Sequence, residues 1–152
     1  MAHINLKVVT PEKTVVEEEG IYQITLPIEG GDVTILPDHM PYIGTVKPGE
    51  ILIRKEASGD EMSLATSGGF AEFHGNTLVV LADTAERAEE IDLVRAEEAR
   101  KKAEEIMKER VHADDADYAR VAALIEKESA RVRVARKHHS RRNISMNSGN
   151  GV

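Results

Sequence analysis

The sequence predicts an α+β protein, with an N-terminal antiparallel β-sandwich followed by a C-terminal antiparallel α-helical hairpin. Three observations predict it. All five prolines and nine of the eleven glycines of the 152-residue chain fall within residues 1–83. That segment holds 23 Val, Ile and Thr residues against 11 in the remainder, which in turn holds 12 alanines against 5. Charge breaks at the same point: residues 1–83 carry 5 basic and 13 acidic side chains, residues 84–152 carry 15 and 14, and the whole chain sums to −7. β-Branched residues suit a pleated strand and alanine suits a helix, so strand chemistry precedes helix chemistry. The organisation read from this break is a sandwich over residues 1–85, a hairpin over 86–139 and a disordered Ser/Asn/Gly-containing tail over 140–152.

The strands follow from alternation and turn chemistry. Ile4, Leu6 and Val8 alternate with Asn5 and Lys7, Thr14–Val16 is a β-branched run, and residues 21–26 place Tyr22, Ile24 and Leu26 on one face. Val33–Leu36, Ile51–Arg54, Met62–Thr66, Gly69–Phe73 and Thr77–Ala82 complete eight short strands. Turn residues separate them at Pro11-Glu12-Lys13, Gly30-Gly31-Asp32, Lys47-Pro48-Gly49-Glu50, Ser58-Gly59-Asp60 and His74-Gly75-Asn76. Residues 38–49 read mostly as loop. Residues 84–148 contain neither Gly nor Pro. The first helix is predicted to start at Asp92, whose carboxylate can cap its first turn, with Ala96, Ala99, Ala103 and Ile106 on one face. Asp114, Asp115 and Asp117 mark a second start, and Tyr118, Ala122, Ile125, Ser129 and Val132 form its apolar stripe. A short connection over 111–113 predicts antiparallel neighbours. A stripe of alanines buries little area, so this hairpin is predicted to be detachable.

Several function classes are excluded. With no cysteine, disulfide scaffolds, thiolate metal sites and cysteine nucleophiles are absent. No apolar run exceeds five residues, and Met1–Lys7 alternates polar and apolar residues, unlike a secretory leader. The acidic balance and the scarcity of aromatics argue against nucleic-acid binding. The six histidines show no metal-ligand spacing, and His138-His139 reads as a solvated pair. Ser67-Gly68-Gly69 lacks the strand–turn–helix setting of a nucleophile elbow and reads as a turn or bulge. No catalytic pair is visible, so the chain is read as a non-enzyme with no metal.

Four stretches carry a resemblance. They are Ile35-Leu36-Pro37-Asp38-His39-Met40-Pro41, Lys47-Pro48-Gly49, Ser67-Gly68-Gly69-Phe70, and Leu81-Ala82-Asp83-Thr84-Ala85-Glu86-Arg87, in that order. Together they resemble the epsilon subunit of the F-type ATP synthase over residues 3–137. The resemblance implies a β-sandwich of about ten strands and a helical hairpin, with no activity of its own. It also implies a rotor part whose sandwich binds the gamma subunit and sits on the c-ring, peripheral to the cytoplasmic face of a bacterial membrane. Asp32, Asp38, His39 and Pro41 map to its contact loop. Thr34 stands where the family usually has Gly, and is expected to stiffen that loop. The hairpin of the family extends along gamma toward the alpha and beta subunits and inhibits ATP hydrolysis.

Some members bind a regulatory ATP through a motif matched here by Ile91, Asp92, Arg95 and Ala96, with Glu86 upstream and Lys102, Lys127 and Arg131 on the helices. Lys replaces Arg at two of these positions and cannot form a bidentate fork on phosphate. The residues themselves allow a second reading, in which Asp92 only caps the helix and Arg95 makes a surface pair. Residues 131–142 carry six Lys and Arg and no acid. Arg133, Arg136 and Lys137 of this stretch are expected to meet an acidic segment of the beta subunit in the extended state. The competing reading of the whole chain is a free-standing protein-binding adaptor.

Overall fold

Inward-facing Ile, Leu and Val at every second position write the strands. A computed structural model describes residues 2–109 and 114–148. Eight strands come first: β1 (Ile4–Val9), β2 (Thr14–Ile21), β3 (Gln23–Ile28), β4 (Gly31–Ile35), β5 (Tyr42–Val46), β6 (Gly49–Arg54), β7 (Glu61–His74) and β8 (Thr77–Arg87). A 3₁₀ turn (Ala88–Glu90) leads to helices α1 (Leu93–Glu109) and α2 (Asp115–Ser148).

The strands form one continuous sheet in the order β2-β1-β8-β7-β6-β3-β4, with β5 added to β7. The sheet wraps on itself because β7 changes partner along its length. Its first half, from Glu61 to Thr66, pairs with β6, and its second half, from Gly69 to Phe73, pairs with β5. Strand β8 follows it from Leu64 to His74, and the start of β8 also pairs in parallel with β1. The two halves enclose one core, in which Ile4, Leu6 and Val8 of β1 meet Ile51 and Ile53 of β6 around Phe73, Leu64 and Leu78. Strands β7 and β8 run on past this change of partner, so the sandwich has eight strands where the family resemblance implies about ten.

The bend sits at a register shift around Gly68 and Gly69, and this is where glycine is required. Both have positive φ, at 112° and 154°. A Cβ on Gly69 would lie 2.0 Å from the Leu81 carbonyl oxygen, and one on Gly68 2.9 Å from that of Val46. The backbone of β7 can approach its neighbours only without side chains at this corner.

Four expectations are corrected here. Residues 38–49 are not mostly loop, because Tyr42–Val46 pairs antiparallel with β7 as β5. The predicted strand over 21–26 breaks at Tyr22, whose amide bonds the Arg54 carbonyl between β2 and β3. The separate strands predicted at 62–66 and 69–73 are one bent strand. The tail from residue 140 keeps its order as far as Ser148, because α2 continues through it. The connection over 111–113 and the end of the tail lie outside the described residues.

Asp92 does cap α1, with its Oδ1 accepting the Arg95 amide at 3.1 Å. Ala96 and Ala103 are buried, as their spacing predicts. Arg136 late in α2 meets Glu97 early in α1, so the helices run antiparallel. The second stripe is shifted from the predicted one: of its five residues only Val132 is buried and Tyr118 is 56% exposed, while Glu128, Ala130, Val134 and Ala135 are buried beside Val132. The seat between hairpin and sandwich consists of Ala65, Ala88, Ile91, Ala96, Val132, Val134 and Ala135. Small side chains dominate it, so it contributes far less than the Ile, Leu and Phe core of the sandwich.

Replacing Gly69 with Ala should destabilise the sandwich by about 2–4 kcal/mol through overpacking and backbone strain. Thermal unfolding followed by circular dichroism checks this, and an unchanged midpoint would show that the corner can relax.

Candidate functional site

The Pro-His loop after β4 is held rigidly. Asp38 adopts a left-handed φ of 62° and Asn76, in the β7–β8 turn, one of 58°. The two residues are reciprocal partners: the Asp38 backbone N–H donates to Asn76 Oδ1 at 2.7 Å, and Asn76 Nδ2 donates to Asp38 Oδ1 at 2.9 Å. His39 N–H closes a turn on the Leu36 carbonyl, and its Nδ1 donates to the Met40 carbonyl at 2.7 Å. Its ring stands edge-on to Phe73, 6.0 Å away. Asn76 escaped the sequence reading because it lies 38 residues from its partner, and its Gly-Asn turn looked ordinary.

Beside this loop the outer face of the β5–β7–β8 layer carries an apolar patch. Ile43, Phe70 and Leu81 are 77%, 63% and 57% exposed, and with Val79 they line one shallow groove. Phe70 stands directly opposite Leu81 across the strands. Met40 on the loop is itself 73% exposed. An apolar surface gathered on one sheet face is the mark of a partner contact. Of the predicted loop residues, Asp38, His39 and Pro41 lie together, whereas Asp32 does not join them. It opens β4 at the other end of that strand, paired with Pro27, and lines a cleft with Arg133 and Lys137 of α2. Thr34 is likewise no loop residue; it sits inside β4, with its hydroxyl 2.9 Å from that of Thr25.

The predicted nucleotide set is divided. Glu86, Lys127 and Arg131 line a cleft of about 280 Å³ between the sandwich and α2, with Thr66, Ser67 and Thr84. Ile91 and Ala96 are buried in the apolar seat instead, and Lys102 is exposed on α1. Arg95 is largely exposed and lies 3.6 Å from Asp92, the surface pair of the simpler reading. Arg131 is already occupied. Its Nε and Nη2 donate to Glu86 at 2.8 and 3.3 Å, and its Nη1 donates to the buried Glu128 at 2.8 Å. Burial alone would lower the Arg131 pKa, but the two carboxylates outweigh it and raise it above the ordinary value. Among the described residues no group of His, Asp and Glu is arranged to hold a metal.

Three further cations of the basic stretch are paired within the chain. Arg136 meets Glu97 of α1, Lys137 donates to Glu50 of β6 at 2.7 Å, and Arg141 meets Glu61 of β7. Burial pushes the Glu61 carboxyl up, but the hydrogen bond from Arg54 and the charges of Arg141, Arg54 and Lys137 outweigh it and hold it below its ordinary value of 4.5. A carboxyl depressed in the folded state contributes stability above its unfolded pKa and loses it as pH falls through the folded one. Stability should therefore fall from about pH 4.5 downward, and Glu61→Gln should flatten that part of the profile. Urea midpoints measured across this range would contradict the assignment if both proteins gave parallel profiles. At neutral pH, Asn76→Ala should speed hydrogen exchange at the Asp38 amide, and an unchanged rate would show that Asn76 does not hold the loop.

Comparisons with known proteins fit this architecture. The family model for the β-sandwich domain of the ATP synthase delta/epsilon chain matches residues 3–88. The chain is 42% identical over 125 residues to the ATP synthase epsilon chain of Thioalkalivibrio sulfidiphilus, covering 79% of this chain and 87% of the relative. It is 41% identical over 138 residues to that of Herpetosiphon aurantiacus, covering 91% and 98%. A chain in the cryo-EM structure of the Euglena gracilis mitochondrial ATP synthase, comprising OSCP, F1 and c-ring, superposes with a TM-score of 0.71 at 20% identity, covering 86% of this chain and 79% of that one. A chain of the Tetrahymena thermophila mitochondrial central stalk and c-ring gives 0.57 at 18%, covering 89% and 95%. At these identities the structures speak for the fold, while the sequence matches speak for the family: the chain belongs to the epsilon chains of ATP synthase.

Proposed function

We propose that this chain is a non-catalytic central-stalk subunit of an F-type ATP synthase, coupling rotation of the c-ring to ATP synthesis and restraining ATP hydrolysis through its hairpin. The observation that carries this reading is the exposed apolar patch of Ile43, Phe70, Val79 and Leu81 beside a loop pinned by Asp38 and Asn76. The patch supplies an apolar face for the gamma subunit, and the rigid Asp38–Pro41 loop supplies a polar contact for the c-ring. A rotor contact that carries torque needs such preorganisation, because a loop that must be ordered on binding spends free energy on its own entropy. The whole assembly would place the chain at the cytoplasmic face of the bacterial membrane, held there by its partners.

The hairpin reading rests on its small apolar seat. Detachment exposes mainly Ala and Val, so a modest preference of alpha, beta and gamma for the extended hairpin is enough to shift the population. A nucleotide is the second reading of the same region, favoured by the cleft lined by Glu86, Lys127 and Arg131. ATP there would engage α2 and the sandwich at once and hold the hairpin down. It would have to compete with Glu86 and Glu128 for Arg131, which predicts weak affinity.

Phe70→Asp with Leu81→Asp should abolish copurification with gamma while leaving the circular dichroism spectrum unchanged; retained copurification would refute the patch as the gamma surface. A chain ending after residue 87 should still assemble and sustain proton-driven ATP synthesis, and should raise ATP hydrolysis by the complex. Calorimetry of the full chain with millimolar ATP tests the second reading: flat heats, or heats unaltered by Lys127→Ala, remove it.

A further inference from the structure

The outer face of β6 and β7 is built as a receptor for the end of α2. Glu50, Leu52 and Arg54 point outward from β6, and Glu61, Ser63 and Ala65 point outward from β7 beside them, because Arg54 pairs with Glu61 and Leu52 with Ser63 in register. Both carboxylates are fixed by the sandwich itself. Ser63 Oγ donates to Glu50 Oε1 at 2.7 Å, and Arg54 Nε donates to Glu61 Oε1 at 2.6 Å. Each is left with one oxygen facing the helix, and each of those oxygens meets a cation of α2: Lys137 Nζ on Glu50 Oε2 at 2.7 Å, and Arg141 Nη1 on Glu61 Oε2. Lys137 and Arg141 are one turn apart, on the stripe begun by Arg133.

The remaining ion pairs of α2 divide by what happens to them on release. Arg136 pairs with Glu97 of α1, and Arg131 keeps Glu128 three residues back on its own helix. These pairs travel with the hairpin. Lys137 and Arg141 alone among these four cations lose every carboxylate that the structure pairs them with, and Arg131 loses only Glu86.

We propose that Glu50 and Glu61, oriented by Ser63 and Arg54, form a two-point ionic latch that holds α2 on the sandwich and keeps Lys137 and Arg141 of the basic stripe neutralised until the hairpin is released. The small Ala and Val seat makes such a latch decisive, since it supplements a weak apolar contact. The pairs are partly exposed, with Lys137 and Arg141 side chains at 42% and 44%, so added salt weakens them. For its consequence, a basic stripe bared on release toward an acidic protein surface, the inference rests on the regulatory role proposed above; the latch itself does not.

The chain has no cysteine, so A65C places a single thiol under α2, in the seat beside Val132 and Ala135. The rate at which this thiol reacts with a soluble disulfide reagent reads release in the isolated full chain, with no ATP synthase present. Adding E50Q and E61Q should raise that rate about three- to tenfold, the effect of losing two partly exposed pairs together. Raising the salt from about 0.1 M to 1 M, where the Debye length falls from ~10 Å to ~3 Å, should raise it in A65C alone and much less in the triple variant. R136Q should leave it unchanged, and the exchanged pair E50K with K137E should return it toward the A65C value. Equal rates in A65C and the triple variant, or a salt-independent rate in A65C, would overturn the latch. So would an R136Q effect as large as that of E50Q and E61Q. An A65C chain carrying K137Q and R141Q instead leaves the sandwich untouched and should show the same rise, and it decides the matter even where E50Q and E61Q together disturb the sandwich. A negative result here leaves the central-stalk reading standing, because that reading is tested by gamma binding.

Discussion

The corner that β7 turns at Gly68 and Gly69 governs the rest of the molecule. Because neither residue carries a Cβ, the strand passes within contact of the Leu81 and Val46 carbonyls and crosses from one layer of the sandwich to the other. Each half of β7 then serves a different surface. The first half, with β6, presents Glu61, Ser63 and Ala65 to α2. The second half, with β5 and β8, presents Phe70 to solvent beside Ile43 and Leu81. One strand thereby separates the face that holds the chain's own hairpin from the face that is free for a partner.

The two attachments differ in kind, and the difference matters for regulation. The sandwich closes on Ile, Leu, Val and Phe side chains that are almost wholly withdrawn from water. The hairpin closes on alanines, two valines and an isoleucine, supplemented by ion pairs at the rim. Apolar burial scales with area, so the first contact is permanent on the scale of the second. Elements that move are drawn from the weakly held end of such a range. Arg131 fits this pattern, since its Glu128 partner lies on the same helix and no buried charge is stranded when the helix leaves.

Much of this was legible in the sequence, and the failures have physical causes. The α+β order, the cap at Asp92 and the buried Ala96 and Ala103 follow from local periodicity, and the structure contains them. Strand β5 was hidden because Tyr42–Val46 is flanked by Pro41 and Pro48 and contains Gly44, which mimics a loop. The union of 62–66 with 69–73 was hidden for the opposite reason: two glycines look like a turn, yet here they continue a strand around a corner. Long-range charge pairing was the least legible part. The bases of residues 131–142 looked uncompensated because Glu50, Glu61, Glu86 and Glu97 lie tens of residues away in sequence and arrive only through the fold. Asp32 and His39 looked like one contact loop by proximity, and strand β4 separates them.

The central claim is that partner binding and hairpin docking use separate faces of one sandwich. It is tested most directly by fixing the hairpin in place and measuring gamma binding. Leu52→Cys and Val134→Cys line the same cleft between β6 and α2 and can be joined by a short bifunctional thiol reagent. If the faces are independent, the locked chain binds gamma with the affinity of the unlocked one, while the assembled complex hydrolyses ATP faster because the hairpin cannot extend. A locked chain that no longer binds gamma would contradict the account, since it would mean that the sandwich reaches its partner only after the hairpin has left.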